Sequence, residues 1–255
     1  MDNVLKPGFA GSFYPSDART LETQINALLA NGVESDPDCI GILSPHAGLI
    51  YSGITAGFAF AAAPDNVSSV VVCAPSHKFA FRGEVVFDID FIETPLGMCP
   101  VDREITSKLS SDMGISAFHE HSFEILVPFI QIRWPYAKIV PIILGENSNP
   151  QKVAKLVFKH APDALFIASS DMSHFYPLEV AQKLDRLVID AFNSLVPEKI
   201  TDSLQACGKD AIKALLYFAK LKKAKNVEEL HYSTSADAGA GTDEVVGYFS
   251  GLISK

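Results

Sequence analysis

Five short runs of apolar, largely β-branched residues limit the folds open to this chain more than any other feature. The runs do not alternate with polar residues, which is typical of strands buried on both faces of a sheet. Helix-like stretches lie between them, and this alternation predicts an α/β fold. The predicted strands cover residues 39–43, 69–74, 138–144, 164–169 and 244–253, and the predicted helices cover 17–30, 53–63, 102–111, 151–160, 178–195 and 208–221. We expect one three-layer domain over residues 1–255, with a mostly parallel or mixed sheet between two layers of helices.

The net charge and the apolar segments of the chain disfavour several classes of protein. The formal net charge of -9 disfavours a nucleic-acid partner, which would select a basic stripe. The amino terminus lacks a basic stretch followed by an apolar one, so we expect no signal peptide and a cytoplasmic location. The uncharged segment 39–64 is about as long as a membrane span, but Pro45, His46 and Gly48 interrupt it. A strand, a loop and a buried helix explain that segment better than a membrane helix does.

The cysteines carry no pairing or metal-binding pattern. Cys39, Cys73, Cys99 and Cys207 are scattered along the chain without a CxxC spacing. In a protein of the cytosol such cysteines are reduced. We interpret them as reduced thiols of the core.

Three predicted strands are each followed by a histidine. His46 follows the first strand in "IGILSPHAG", His77 follows the second in "VVVCAPSHKF", and "LFIASSDMSH" places Asp171 and His174 after a third. In open α/β sheets, ligands bind beyond the carboxyl ends of the strands. One such histidine would be explained as a loop residue, but three at matched places favour convergence in a single cleft.

These residue types are typical of a metal site. Imidazole suits iron, zinc and copper, and two histidines with one carboxylate are the ligands of many non-haem iron enzymes. A further cluster in "FHEHSFEILVPFIQ" adds His119, Glu120, His121 and Glu124. If a helix begins at Glu120, the two glutamates share a face and His121 points about 100° away; if the segment is extended, the two histidines share a side. A capped helix start remains the alternative.

Several motifs together resemble the Memo-like family, also called AmmeMemoRadiSam system protein B. In chain order they are "GFAGSFYPSD", "SPHAGLIYSG", "APSHKFAFRG", "ETPLGMCPVDRE", "EHSFEILVPFIQ", "IVPIILG", "SSDMSHFYP", "ACGKDAIKALL" and "VVGYFSG". The resemblance implies a single α/β domain, similar in fold to the class III extradiol (LigB-like) dioxygenases, with a cleft that can hold a metal.

The resemblance also implies roles for individual residues. His46 and His77 would be metal ligands, His174 and Asp171 would line the same cleft, and His121 would match the acid–base histidine of the dioxygenases. Some members place a cysteine in the C-terminal segment, whereas "YSTSADAGAGTDEVVGY" has none, and Ala238 stands there beside Asp237. We therefore expect a hard carboxylate or water in place of a thiolate. The candidate ligands are His46, His77, His174 and Asp237, and the candidate catalytic residues are His121, Asp171, Glu120 and Glu124.

Three functions remain open from the sequence. The first is a non-haem iron oxidoreductase or dioxygenase-like enzyme of unknown substrate, with zinc or copper as other possible metals. The second is a non-catalytic module that binds a peptide or protein in the cleft, and the third is a zinc-dependent hydrolase. The family name also links such proteins to radical SAM and AMMECR-like proteins, which we expect as partners.

Overall fold

The structure, a computed structural model, describes residues 3–255. Twelve strands and eight α-helices follow one another along this part of the chain. They are β1 (Val4–Leu5), α1 (Ala18–Leu29), β2 (Cys39–Ser44), α2 (Leu49–Ala62), β3 (Ser69–Pro75), β4 (Glu84–Phe87), β5 (Phe91–Thr94), β6 (Gly97–Pro100), α3 (Arg103–Leu109), β7 (Gly114–Ser116), α4 (His121–Glu124), α5 (Val127–Arg133), β8 (Lys138–Leu144), α6 (Pro150–His160), β9 (Leu165–Ser169), β10 (His174–Tyr176), α7 (Leu178–Asn193), α8 (Lys209–Lys222), β11 (Asn226–Thr234) and β12 (Val245–Ser254).

The large sheet is mixed around a parallel centre. Its strands lie in the order β10-β12-β2-β9-β3-β8-β4-β7, and β11 pairs with β12 outside this path. Strands β2, β9, β3 and β8 are mutually parallel, whereas β12 and β4 run antiparallel to their neighbours β2 and β8. A second sheet of three strands has the order β1-β5-β6. The predicted α/β class with a mixed sheet is therefore confirmed.

Helices cover both faces of the large sheet. Successive residues of a strand point to opposite faces, and the two core clusters follow this rule: Ile42 belongs to one cluster and Leu43 to the other. The first cluster contains residues of α1, α2 and α5, and the second contains residues of α6, α7 and α8. Every residue of β2 is buried, because apolar side chains cover it from both sides. This explains why the strand shows no alternation in the sequence.

Two helical segments differ from the prediction. Helix α2 begins at Leu49, before the predicted start at residue 53. It contains Gly53 and Gly57, although glycine has low helix propensity. Tertiary packing overrides that preference: a Cβ on Gly57 would lie 2.2 Å from the Leu28 carbonyl oxygen, so only glycine allows α1 and α2 to approach this closely. Segment 120–129 forms two short helices instead of one, with proline at the start of α5.

The topology places three loops together. Because β2, β9 and β3 are adjacent and parallel, their carboxyl ends meet at one edge of the sheet. The loop 45–48 leaves β2, the loop containing His77 leaves β3, and residues 170–173 leave β9. Segment 39–64 forms β2 and α2, as expected, and none of the helices described for residues 3–255 has the length and hydropathy to cross a membrane.

Candidate metal centre

Three histidines converge at this edge of the sheet. One ring nitrogen from each of His46, His77 and His121 lies within 4.8 Å of the others. The ring centroids are 5.2 Å apart for His46 and His77, 4.6 Å for His77 and His121, and 5.6 Å for His46 and His121. His46 is buried, whereas the side chains of His77 and His121 are 30% and 18% exposed. The group therefore has a closed inner side and an open outer side.

A serine fixes the tautomer of His46. The Ser169 hydroxyl lies 2.5 Å from the Ser122 carbonyl oxygen and donates its proton there. Ser169 Oγ must therefore accept from His46 Nδ1, which lies 2.7 Å away. This leaves Nε2 of the neutral ring with a free lone pair. Ser122 Oγ in turn donates to the Pro75 carbonyl, so residues at the ends of β3 and β9 hold the ring through α4.

Glu120 does the same for the other two histidines. Its Oε1 lies 3.2 Å from Nδ1 of His77 and 3.1 Å from Nδ1 of His121. Its Oε2 accepts from the backbone N–H groups of His77 and Lys78. A carboxylate only accepts hydrogen bonds, so both Nδ1 atoms donate to Glu120, and the Nε2 atom of each ring is the one left to face a metal ion. Carboxylates in this position orient histidines that bind metals.

The charges of these groups are set by burial and by the network. Burial lowers the pKa of His46 well below its usual range, and His77 and His121 lower it further, so the ring is neutral at pH 7. Burial alone would raise the pKa of the Glu120 carboxyl, but hydrogen bonds from His121 and His77 outweigh it and hold the pKa well below its usual range. The site thus combines the neutral imidazole of His46 with the buried anion of Glu120, and both favour a bound cation.

Asp171 supports His46 from the third strand end. Its Oδ1 accepts from the backbone N–H of His46 at 2.7 Å, and its Oδ2 lies 3.9 Å from His46 Nε2. Burial raises the pKa of the Asp171 carboxyl, although hydrogen bonds from the backbone of His46 and Ala47 oppose this. The predicted convergence of His46, His77 and Asp171 is therefore present in the geometry.

The other two predicted ligands lie apart from the three histidines. His174 begins β10, close enough to lower the pKa of His46 through its charge, but it does not belong to the group of converging nitrogens. Asp237 accepts from the backbone N–H and hydroxyl of Thr234 at 2.7 and 3.0 Å. Its carboxylate lines a separate cleft with Tyr51 and His231. Their roles as ligands remain predictions.

Glu120 and Glu124 do not share a face as a single helix would require. Glu120 is an extended N-cap residue, whereas Glu124 points to the N-terminal segment. There the buried Glu124 carboxylate accepts from the N–H groups of Gly8 and Phe9 and from the Tyr14 hydroxyl. This anchor places the rings of Phe9 and Phe13 against His121, with centroids 5.6 and 4.9 Å away. In the structure, Glu124 holds the segment that covers His121.

Cys207 is the residue that sequence reasoning missed. The four cysteines are free thiols, as expected, and Cys39, Cys73 and Cys99 are buried. Cys207, however, is only partly buried, and its Sγ lies 3.3 Å from His46 Nε2 and 3.2 Å from the Asp171 backbone nitrogen. Burial raises the pKa of this thiol, so it stays protonated. Its place in "ACGKDAIKALL", one of the motifs of the resemblance, was the available signal.

An open cleft of about 380 Å³ adjoins the histidines. His77 and Cys207 lie in its wall, between the loop that follows β3 and the start of α8. Two further histidines lie elsewhere: His160 ends α6, and His231 stacks on Phe58 and contacts Thr55.

A three-layer α/β fold with three converging histidines beside a cleft defines an α/β protein that could hold a metal ion at its strand ends. Residues 6–252 match the sequence model of the family described as Memo-like protein. A MEMO1 family protein of Methanococcoides burtonii is 36% identical over 97% of this chain and 99% of its own length. One from Archaeoglobus fulgidus is 36% identical over 98% of each chain. This chain therefore belongs to the Memo-like family.

A solved structure supports the fold alone. The crystal structure of an uncharacterized protein from Escherichia coli K12 superposes with a TM-score of 0.54, covering 83% of this chain and 98% of that one. The sequences are only 12% identical, so the likeness extends to the architecture and not to the site.

Proposed function

We propose that His46, His77 and His121 bind one divalent metal ion and that the protein is a non-haem iron enzyme of the oxidoreductase or dioxygenase-like kind. The single observation that carries the proposal is the convergence of three ring nitrogens within 4.8 Å. Each of the three rings has its Nδ1 bonded to Ser169 or Glu120. Three ring nitrogens thus converge on one place, where the Cys207 thiol, 3.3 Å from His46 Nε2, would give way to the ion.

The donor set fits a metal of this kind. Bonds from histidine nitrogen to a metal are about 2.0–2.1 Å long, so three ligand nitrogens stand roughly 3–3.5 Å apart. The three ring nitrogens lie within 4.8 Å of one another, so binding would draw them together to that separation. Iron bound there would supply Lewis acidity and redox chemistry with dioxygen.

The surrounding residues have separate tasks in this proposal. Glu120 keeps His77 and His121 oriented and supplies a compensating negative charge. Asp171 is buried and does not line the cleft, so its task is to hold the backbone of His46 through the hydrogen bond to its Oδ1. Phe9 and Phe13 shield one side of His121 from water.

A zinc-dependent hydrolase is the second candidate function, and one observation favours it. The converging donors are three imidazoles with no carboxylate among them. That is a ligand set of catalytic zinc, which activates a water molecule in its fourth position. The resemblance to iron enzymes places iron first.

The test is elemental analysis of protein purified without oxygen or chelators. We expect iron near one atom per chain; zinc at that level would instead move the function to hydrolysis. Absence of any metal would contradict the proposal and leave the peptide-binding module as the better hypothesis. Binding of radical SAM or AMMECR-like proteins would be sought separately by co-purification.

His121 needs a separate measurement because two roles are open to it. The geometry favours a third ligand, whereas the family resemblance implies a proton carrier. We expect His121→Gln to lower metal content as His46→Ala does. If His121→Gln keeps its metal but slows turnover by roughly 100-fold, His121 is the acid–base residue instead.

A further inference from the structure

The lining of the cleft beside the histidines carries more negative than positive charge. Glu146, Asp202 and Asp210 line it, and Lys209 is the one lysine or arginine among its lining residues. None of the three carboxylates forms an ion pair with a side chain of residues 3–255. Three carboxylates against one ammonium group leave two negative charges on the wall.

The positive groups of the cleft are already engaged. Lys209 Nζ donates to the Asp202 carbonyl oxygen at 2.7 Å. Lys209 also begins α8, whose N-terminus carries a partial positive charge, but Asp210 in the first turn offsets it. A concave wall with excess charge of one sign concentrates ligands of the opposite sign. The cleft should therefore prefer cations.

Aromatic side chains also line the cleft. Phe79 is 52% exposed and lies with Phe81 on the segment that follows His77. The Phe118 ring packs behind them, with centroids 4.8 Å from Phe79 and 5.9 Å from Phe81. An exposed aromatic side chain at the mouth of a small cleft is suited to contact an apolar or aromatic ligand.

We propose that the substrate of this site is a small molecule with an aromatic or apolar body and a protonated amine. The body would pack on Phe79 and Phe81 near His77, and the ammonium group would face Glu146, Asp202 and Asp210. This inference rests on the proposed function, because the cleft matters here as the path to the three histidines. It adds the charge and shape of the ligand, which the metal chemistry leaves open.

The test compares two probes that differ only in their charged end. 2-Phenylethylamine and 3-phenylpropionate share a ring and a two-carbon linker. Their affinities for the full-length protein, with the metal it retains, would be measured by ligand-observed NMR at low and high salt. We expect the amine to bind at least about tenfold more tightly at low salt, and the ratio to shrink at high salt. Equal affinities, tighter binding of the carboxylate, or no binding of the amine would overturn the inference.

Variants assign the preference to this cleft. Glu146→Gln with Asp202→Asn removes the two excess charges, and neither side chain accepts a hydrogen bond in the described residues. We expect the ratio to fall close to one. Glu22→Gln is the matched control, because Glu22 is exposed on α1 in the other helical layer and should leave the ratio unchanged. An unchanged ratio in the double variant would overturn the assignment.

Metal content measured in the same samples separates the two proposals. A preference for the amine in protein that holds no metal would retain the ligand class and reject the metal function. Full metal occupancy without any preference would reject the ligand class alone.

Discussion

The two ends of the parallel strands differ in chemistry although the same strands build both. At the carboxyl end, β2, β3 and β9 lead into buried polar residues, including His46 and Asp171. At the amino end, the same strands border a cleft of about 210 Å³ whose charged groups are Asp38, Asp163, Lys222 and Lys255. Those charges balance, and the Asp163 side chain is 99% exposed. A cleft therefore occurs at both ends of the buried strands. A metal site needs, in addition, polar groups that are buried and hydrogen-bonded to one another.

We expect the largest effect when a histidine at the carboxyl ends of the strands is replaced, in comparison with a histidine near their amino ends. His46→Ala should reduce metal affinity by more than about 100-fold, because it removes a buried donor and not merely an orienting group. His160→Ala is the control: His160 ends α6 two residues before Pro162 of the amino-end cleft. It should leave metal content unchanged. Equal losses in the two variants, measured by metal analysis with circular dichroism as a check of folding, would remove the distinction between the ends.

The next effect concerns carboxylates. Glu120→Gln should weaken metal binding by about 10–100-fold, because the amide cannot accept from both imidazoles with the strength of a carboxylate. Asp163→Asn, at the amino ends of the strands, should leave metal affinity unchanged. Competition with a chelator of known affinity gives the measurement. If Glu120→Gln binds metal as tightly as wild type, the orienting role assigned to Glu120 is wrong.

The stability of the metal-free protein at acid pH should also depend on His46, at the carboxyl ends of the parallel strands. The folded-state pKa of His46 lies below the value of 6.5 in the unfolded chain. The contribution of His46 to the free energy of unfolding is therefore fully present above pH 6.5 and is lost as the pH falls below 6.5. The free energy of unfolding should drop by about 1.4 kcal/mol per pH unit from this group. Denaturant titrations at pH 7 and pH 5.5 check this.

His46→Gln isolates that contribution, because the variant keeps a polar side chain but cannot titrate. Asp171, with its raised pKa, changes stability in the opposite direction above its unfolded value. Its Oδ2 lies 3.9 Å from His46 Nε2, so the difference between the slopes reports the titration of His46 together with its coupling to Asp171. Identical slopes for wild type and variant would show that His46 is protonated as easily in the folded state as in the unfolded one.

The smallest effect marks the limit of the site at the carboxyl end. Asp237→Asn should leave metal affinity unchanged, because the carboxylate is bonded to Thr234 and lines a different cleft. Titrations of metal binding at pH 6 and pH 8 would check it. A tenfold loss, or an altered pH dependence, would instead support Asp237 as the ligand that the sequence predicts.

Much of the architecture could be predicted because it depends on local patterns. The central strands were located to within one or two residues, since apolar runs bounded by turn formers are read directly from the chain. The edge strands β7 and β10, and β4 next to β7, were missed because each has only three or four residues. The early start of α2 was missed because its N-cap, Gly48, has no side chain to mark the first turn.

Local patterns in the chain were enough to predict the three-layer α/β fold and the positions of His46, His77 and Asp171 after strands. Both follow from side-chain periodicity and from the rule that parallel strands end at one edge. The folded molecule was needed to see how Glu120 joins His77 to His121, how Ser169 orients His46, and that Cys207 lies beside it. The bonded residues Ser169 and Cys207 are 123 and 161 positions from His46. Contacts at such separations depend on how the layers pack, and no local pattern in one sequence records that packing.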